Sequence, residues 1–400
     1  MNGMSQPEAP RVPQGWIATW TASPAGPPSE TPRFRDQTVR SVIRTSAGGA
    51  RCRVRLSNVF GRTPLVVGAT RLALRRSGAQ IDAASVRPVT FGGAGRVTIP
   101  AGAQAVSDPV QLEVPPLADL AVSLWLPEPT AADTMHFQAL QTSYVARGDA
   151  TAALDLPEAQ PTTAWHFLTG VDVWRPDGAT IVVFGDSITD GANSSPDRNL
   201  RWPDVLAARL QARTTTRRLG VANQGIIGNR LLHPTAAHLG NLFGPAGLAR
   251  FDRDVLEQPG VACAIVLLGI NDLGHPGAVA PLDEAVSAEE LQTGLTQLVE
   301  RAHRKGIRIL GATLTPFEGT ADGFYSPEKE AKRQTVNNWI RTAGRFDGVL
   351  DLDAAVRDPE HPARLAPDYD AGDHLHPSDA GMSAIGRAIP LEPFDSSFER

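Results

Sequence analysis

Residues 179–191 read ATIVVFGDSITDG. Six apolar or β-branched residues run without a break, and a polar turn bracketed by glycines follows at once. A strand that is apolar on both faces belongs in a parallel sheet covered on both sides. In such a sheet, ligands bind beyond the carboxyl ends of the strands. The turn from Gly185 to Gly191 is therefore the first place to look for chemistry.

The same grammar continues downstream. Short strands are predicted at Leu219–Gln224, Val261–Leu268, Ile307–Leu314 and Val349–Leu352. Helical periodicity marks Trp202–Ala212, Leu248–Leu256, Ser287–Lys305 and Pro377–Ile389. Ser287 and Glu290 have capping-box spacing, and Gly306 stops that helix. Ser326 caps a further helix that starts at Pro327, a favoured first position for proline. Strands alternating with helices give an α/β fold of three layers around a parallel sheet. Residues 179–396 are assigned to it.

Upstream the pattern changes. Thr38–Thr45, Arg51–Leu56, Leu65–Leu74, Val97–Ile99 and Leu120–Leu126 alternate with period two, with Gly- and Pro-rich turns between them. That is an all-β, sandwich-like domain, assigned to residues 15–173. In RCRVRL, Cys52, Val54 and Leu56 face one way and the arginines the other, which predicts one wet face. The proline-rich, polar stretch Leu154–Gly178 reads as the junction, with His166–Val173 free to pack on either side. A length of 400 residues fits two domains.

Composition excludes several functions. With 38 Lys+Arg against 43 Asp+Glu, the net charge is −5, and no basic stripe suggests nucleic acid. No segment is long and apolar enough to span a bilayer. The first residues, MNGMSQPEAPRVPQGW, show no basic and apolar leader, so the expectation is a cytoplasmic protein or an exported one whose leader is gone. The only two cysteines, Cys52 and Cys263, lie in apolar runs of different domains and read as buried free thiols.

Four polar segments follow the C-terminal strands or precede the last helix. They are Gly185-Asp186-Ser187-Ile188, Asn223–Gly228 (NQGIIG), Gly269-Ile270-Asn271-Asp272 and Asp373–Pro377 (DHLHP). Together, in this order, they resemble the sequence blocks of the GDSL, or SGNH, hydrolases, over about residues 179–390. Isoleucine stands where the family name has leucine, and the position is apolar either way. The N-terminal phrases WIATWTASP, RLSNVFG and TGVDV are more loosely similar to a bacterial subgroup with a leading β domain.

The resemblance implies roles. Ser187 is the expected nucleophile, His376 its base and later acid, and Asp373 the group that orients the imidazole. The oxyanion hole is expected from the backbone N–H groups of Ser187 and Gly228 and the side-chain amide of Asn271. Pro377 keeps His376 out of helical backbone. No cofactor and no metal are implied.

Plainer readings stand beside these. Ser187 alone would be an N-cap serine, and Asn271-Asp272 a turn pair. Asp186 and Asp272 read as structural, and Gly225 as a turn glycine. His374 reads as a loop residue out of register with the motif. His136, His166, His233, His238, His275, His303 and His361 lack a partner motif. Asp370, Asp373, His374 and His376 could suggest a metal, but the spacing is not a ligand set. There is no G-x-S-x-G elbow, H-E-x-x-H or P-loop.

The resulting expectation is a serine carboxylic ester hydrolase acting on small-molecule or carbohydrate esters, with short acyl groups favoured over lipid chains. Glycine- and proline-rich segments Leu231–Gly247 and Gly274–Val286 are expected to wall the pocket. Trp20, Trp125 and Trp165 are a candidate sugar platform, against a core role. A lipase or thioesterase is the alternative within the class. A carbohydrate-binding protein with a vestigial hydrolase site is the alternative outside it. The oligomeric state is not legible.

Overall fold

The computed structural model describes residues 15–27, 31–321 and 323–395. The leader reading of the first residues lies outside them.

The C-terminal half holds a five-stranded parallel sheet. Its strand order is Leu219–Gly225, Ala179–Gly185, Val261–Leu267, Arg308–Ala312 and Gly348–Leu350. The chain begins in the second position, moves to one edge, then crosses back and runs to the other edge. The switch point therefore lies between Ala179–Gly185 and Val261–Leu267 at their carboxyl ends. All seven residues of Ala179–Gly185 are buried, as its unbroken apolar run requires. Helices Trp202–Ala212 and Asp379–Ala388 pack together, as do Ala288–Arg304 and Pro327–Thr342.

The helix caps fall where the sequence puts them. Ser287 accepts from the Glu290 N–H while the Glu290 carboxylate accepts from the Ser287 N–H. Ser326 caps the helix that opens at Pro327. The last helix begins at Asp379, with Ser378 as cap, so Pro377 stays outside it. Leu248–Leu256 is a mixed segment, an α-turn at Gly247–Phe251 running into a π-turn at Asp252–Leu256.

The N-terminal half is rich in antiparallel strands. One sheet has the order Trp16–Thr21, Leu168–Trp174, Cys52–Ser57 and Gln104–Val106. A second is centred on Gln37–Arg44, Asp119–Leu126 and Ala69–Ser77. The expected junction is much shorter than its composition suggests. Leu168–Trp174 is an interior strand of the first sheet, and only Arg175–Gly178 separates it from the parallel sheet. Of the two sides open to it, this segment packs on the N-terminal one, with partners more than 100 residues away.

Cys52, Val54 and Leu56 are fully buried, as expected of one strand face. The opposite face is covered rather than wet. Arg53 and Arg55 both pair with the buried Asp172, at 2.8 and 3.1 Å. Arg53 stacks over Trp16 and Arg51 over Trp174, each at 4.6 Å. The tryptophan platform is not present. Trp20 and Trp165 are buried and meet edge to face at 4.8 Å, and Trp125 points its Nε1 at Asp36. Cys52 and Cys263 are both buried and free.

The two halves meet along the strand Trp16–Thr21. Ala18 N donates to Thr180 Oγ1 at 3.0 Å, and Thr21 Oγ1 donates to the Asn223 carbonyl at 2.7 Å. Val221 N donates to Ser46 Oγ at 2.9 Å. The strand Trp16–Thr21, the first among the described residues, thus lies against the strand that leads into the Gly225–Gly228 loop.

Candidate active site

Ser187 is the first residue of a single helical turn, Ser187–Asp190, that doubles back on the strand before it. The doubling back explains Gly185, where a Cβ would lie 2.2 Å from Thr189 Oγ1 and 2.5 Å from the Leu267 carbonyl. The capping residue is Asp186, whose carboxylate accepts from the Ile188 N–H at 3.1 Å. The N-cap reading of Ser187 is thereby corrected: its neighbour caps, and the Ser187 hydroxyl is left for another partner.

That partner is His376. Its Nε2 lies 2.8 Å from Ser187 Oγ, and its Nδ1 lies 2.6 Å from Asp373 Oδ2. A proton on Nδ1 satisfies the carboxylate and leaves the Nε2 lone pair facing the serine hydroxyl. Asp373 Oδ1 accepts from the backbone N–H groups of Leu375 and His376, at 3.0 and 2.8 Å. Partial burial opposes the Asp373 charge. The hydrogen bond and charge of His376, with those two N–H groups, outweigh it and hold the carboxyl well below the usual carboxylate range.

Gly228 sits on the loop after Leu219–Gly225 with φ +68°, where a Cβ would lie 2.5 Å from the Phe243 ring. Conformation and space both call for glycine. Asn271 is buried in the first turn of Ile270–Gly274, and its amide donates to the Asn229 carbonyl at 3.0 Å. One N–H of that amide remains beyond this bond. The two loops of the expected oxyanion hole are therefore tied to each other directly.

Several residues that support this arrangement carry no sequence motif. Asn229 donates to the carbonyls of Phe243 and Pro245 and accepts from Arg250. Arg250, fully buried, also donates to the Gly185 and Gln224 carbonyls and pairs with Asp254 at 3.0 Å. Burial lowers its pKa to about 10, with Asp254 opposing, so it stays a cation. Asn193, on the loop after the Ser187–Asp190 turn, donates to Asp373. An asparagine in a loop looks like any turn residue, so no local signal could have singled it out.

The two remaining acids behave as structural groups. Asp272 accepts from the Leu231 and Leu232 N–H groups at 2.7 and 2.9 Å. Burial pushes its pKa up to about 6 and that of Asp186 to about 7. His374 is exposed, has φ +62°, and bonds Asp370. It faces Gly319 rather than the Ser187–His376 pair. His275 is wedged between Phe243 and Phe324, with ring centres 5.6 and 5.8 Å away. Both segments expected to wall the pocket contribute to that aromatic cluster. Among the described residues no group of three or more His, Cys, Asp or Glu is placed to hold a metal ion.

Residues 183–384 match the sequence model of the GDSL-like lipase/acylhydrolase family. The chain belongs to this family. As a member of it, the protein is a serine esterase. No curated protein matches the chain. Among solved structures, it is similar to LAE5, an α/β-hydrolase enzyme from the metagenome of Lake Arreo, Spain. The identity there is 27% over 53% of this chain and 93% of that one, with a TM-score of 0.39. An acetylxylan esterase from Geobacillus stearothermophilus is 24% identical over the same shares, also with a TM-score of 0.39. A GDSL-like lipase from Bacteroides thetaiotaomicron is 18% identical over 52% and 85%, with a TM-score of 0.37. The family match begins within the strand that leads into the Ser187 turn and leaves the N-terminal antiparallel strands outside it.

Proposed function

We propose that Ser187, His376 and Asp373 are a catalytic triad that hydrolyses carboxylic esters through an acyl-enzyme. The observation that carries this is the unbroken hydrogen-bonded series from Asp373 to His376 to Ser187, at 2.6 and 2.8 Å.

A serine hydroxyl is a weak nucleophile until a base takes its proton. His376 Nε2 takes it as Oγ attacks the ester carbonyl, and Asp373 stabilises the imidazolium. The oxyanion faces the N–H groups of Ser187 and Gly228 and the Asn271 amide. Collapse returns the proton from Nε2 to the departing alkoxide and leaves the acyl group on Oγ. Water, deprotonated by His376, then attacks the acyl carbonyl and releases the carboxylic acid and the free serine. No cofactor is needed for any of these steps.

The substrate is read as a short-chain or acetyl ester of a small alcohol or carbohydrate. One feature supports a short acyl group: a Cβ at Gly228 would lie 2.5 Å from the Phe243 ring, so that ring crowds the loop read as an oxyanion donor. We also read the chain as two domains, residues 15–173 and 179–396, the second having its sheet between two helical layers and the first a sandwich.

The test is release of p-nitrophenol from p-nitrophenyl esters, acetate to palmitate, by wild type and Ser187→Ala. Wild type should cleave the short esters. The variant should be inactive with its thermal midpoint nearly unchanged. A variant that keeps most of the activity overturns the triad, and a wild type faster on palmitate than on acetate overturns the short-acyl reading.

A further inference from the structure

We propose that His136, supplied by the N-terminal antiparallel strands, is a positioning residue for the nucleophile turn and the Gly225–Gly228 loop. The inference rests on that loop being part of the oxyanion hole.

His136 is buried. Its Nδ1 lies 3.0 Å from the Ser23 carbonyl oxygen and its Nε2 lies 2.9 Å from Asp190 Oδ1. A carbonyl and a carboxylate can only accept. Each ring nitrogen therefore needs a proton between itself and its partner. The pair holds one proton more than a neutral imidazole beside a carboxylate, and it does so inside the protein. Loss of that proton would set two lone pairs against each other at 2.9 Å.

Asp190 is where the consequence reaches the site. It is the last residue of the turn that begins with Ser187. Its other carboxylate oxygen accepts from the Ile227 N–H at 3.1 Å, one residue before Gly228. A Cβ on Gly225 would lie 2.3 Å from Asp190 N, so the turn and the loop touch through their backbones. One carboxylate thus joins the turn holding the nucleophile to the loop holding an oxyanion donor, and His136 fixes that carboxylate from the N-terminal side. Ser23, the other partner of His136, receives a hydrogen bond from Arg250 Nη1 at 3.1 Å. Arg250 in turn holds the Gly185 carbonyl at 2.8 Å, just before the nucleophile turn.

The pair also lines a cavity of about 120 Å³ between the two halves of the protein. That space can admit water, so the proton can exchange without unfolding. The charged groups around it are Arg201 and, lining the same cavity, Arg44, Arg198 and Asp204. Burial works against a charged His136. Its partner Asp190, and the hydrogen bonds to Asp190 and Ser23, outweigh burial and the nearby Arg201, and raise its pKa above the ordinary imidazole value.

The experiment compares kcat, KM and the pH dependence of kcat for p-nitrophenyl acetate in wild type, His136→Gln and Asp190→Asn, with circular dichroism and thermal midpoints. Glutamine can donate to Asp190 but not to Ser23 at the same time. The expected result for folded His136→Gln is a loss of kcat of about 10-fold or more, because a displaced oxyanion donor is felt in the transition state. KM should stay within about 2-fold, since the ground state uses the donor little. Wild type should lose kcat reversibly at alkaline pH, as the pair gives up its proton. That limb should be absent in both variants.

Asp190→Asn covers the case in which His136→Gln does not fold. Its amide can donate to a neutral imidazole while its oxygen still accepts from Ile227 N–H. A folded variant that retains the alkaline limb, or His136→Gln with wild-type kcat, overturns the inference. If Ser187→Ala is inactive and His136→Gln behaves as wild type, this inference alone falls. If Ser187→Ala stays active, the triad falls and takes this inference with it.

Discussion

Asn193 Nδ2 donates to Asp373 Oδ2 at 2.8 Å, and that oxygen also receives His376 Nδ1 at 2.6 Å. One carboxylate oxygen thus serves two donors, one from the loop after the Ser187 turn and one from the His376 imidazole. Asn193 has φ +64°, and its loop is anchored by Ser195, which donates twice to Asp379.

Replacing this donor with a carboxylate tests its role. In Asn193→Asp the donor to Asp373 is lost and a like charge faces that carboxylate, so kcat should fall. Part of that loss should be recovered in 0.5 M salt, roughly the range where surface charges are screened within a few ångströms. Asn193→Ala should lower kcat with little salt dependence. Wild-type kcat in both variants would remove Asn193 from the site.

Gly228→Ala meets two obstacles at once, the φ of +68° and the Phe243 ring 2.5 Å from the new methyl. The left-handed backbone alone costs about 1–2 kcal/mol. Turnover should fall on the order of 100-fold as the N–H is displaced, and the thermal midpoint should drop. Adding Phe243→Ala should recover part of the midpoint, because it removes the clash and leaves the backbone strain. Turnover assays and calorimetry on the single and double variants decide it.

Stability in acid should be set in part by His166. Burial alone lowers its pKa to about 4, and its ring lies 5.0 Å from Phe34. The folded pKa is thus below the unfolded one. Above the ordinary imidazole value both states are neutral and nothing is lost. As pH falls through that value the unfolded chain takes a proton that the folded chain refuses, and stability declines until about pH 4. His275, lowered to about 3 by burial with Arg230 and Lys329 nearby, acts the same way. For His166 the loss is on the order of 3 kcal/mol. Thermal midpoints of wild type and His166→Phe from pH 8 to 4 should diverge, with the variant falling less. His136 works in the opposite sense: its raised pKa means a contribution present in acid and lost as pH rises.

The thiols should be inert. Burial pushes Cys52 and Cys263 up to about 12, so almost no thiolate exists at neutral pH. Labelling with 5,5′-dithiobis(2-nitrobenzoic acid) should be negligible in the native protein and reach two thiols in guanidinium. Fast native labelling would contradict their burial.

What the sequence disclosed was whatever is local. An apolar run followed by Gly185-Asp186-Ser187, or a serine three residues before a glutamate, records its structure within one turn of chain. The register of Cys52, Val54 and Leu56 was legible for the same reason. Asn193 and Asp373 are separated by 180 residues, and His136 and Asp190 by 54, and nothing in either segment announces the other. Leu168–Trp174 is ambiguous in the sequence for the same reason: it lies both at the end of the β region and inside the proline-rich stretch, and its strand partners are distant. The tryptophans show a different limit: composition cannot tell an aromatic ring that faces water from one that fills a core, and the commoner core role is the one Trp20 and Trp165 have.

The position of Leu168–Trp174 between Trp16–Thr21 and Cys52–Ser57 also dictates an order of assembly. During synthesis the first strand waits, without its sheet neighbour, until some 150 further residues have been added. Long-range pairing of this kind makes folding slow. The segment that closes the sheet ends at Trp174, and Ala179 begins the parallel sheet almost at once. All strands of the antiparallel half thus precede the parallel sheet in the chain, and Trp16–Thr21 is the sheet edge against which Leu219–Gly225 lies. A protein shortened before residue 168 would lose that template as well as a strand.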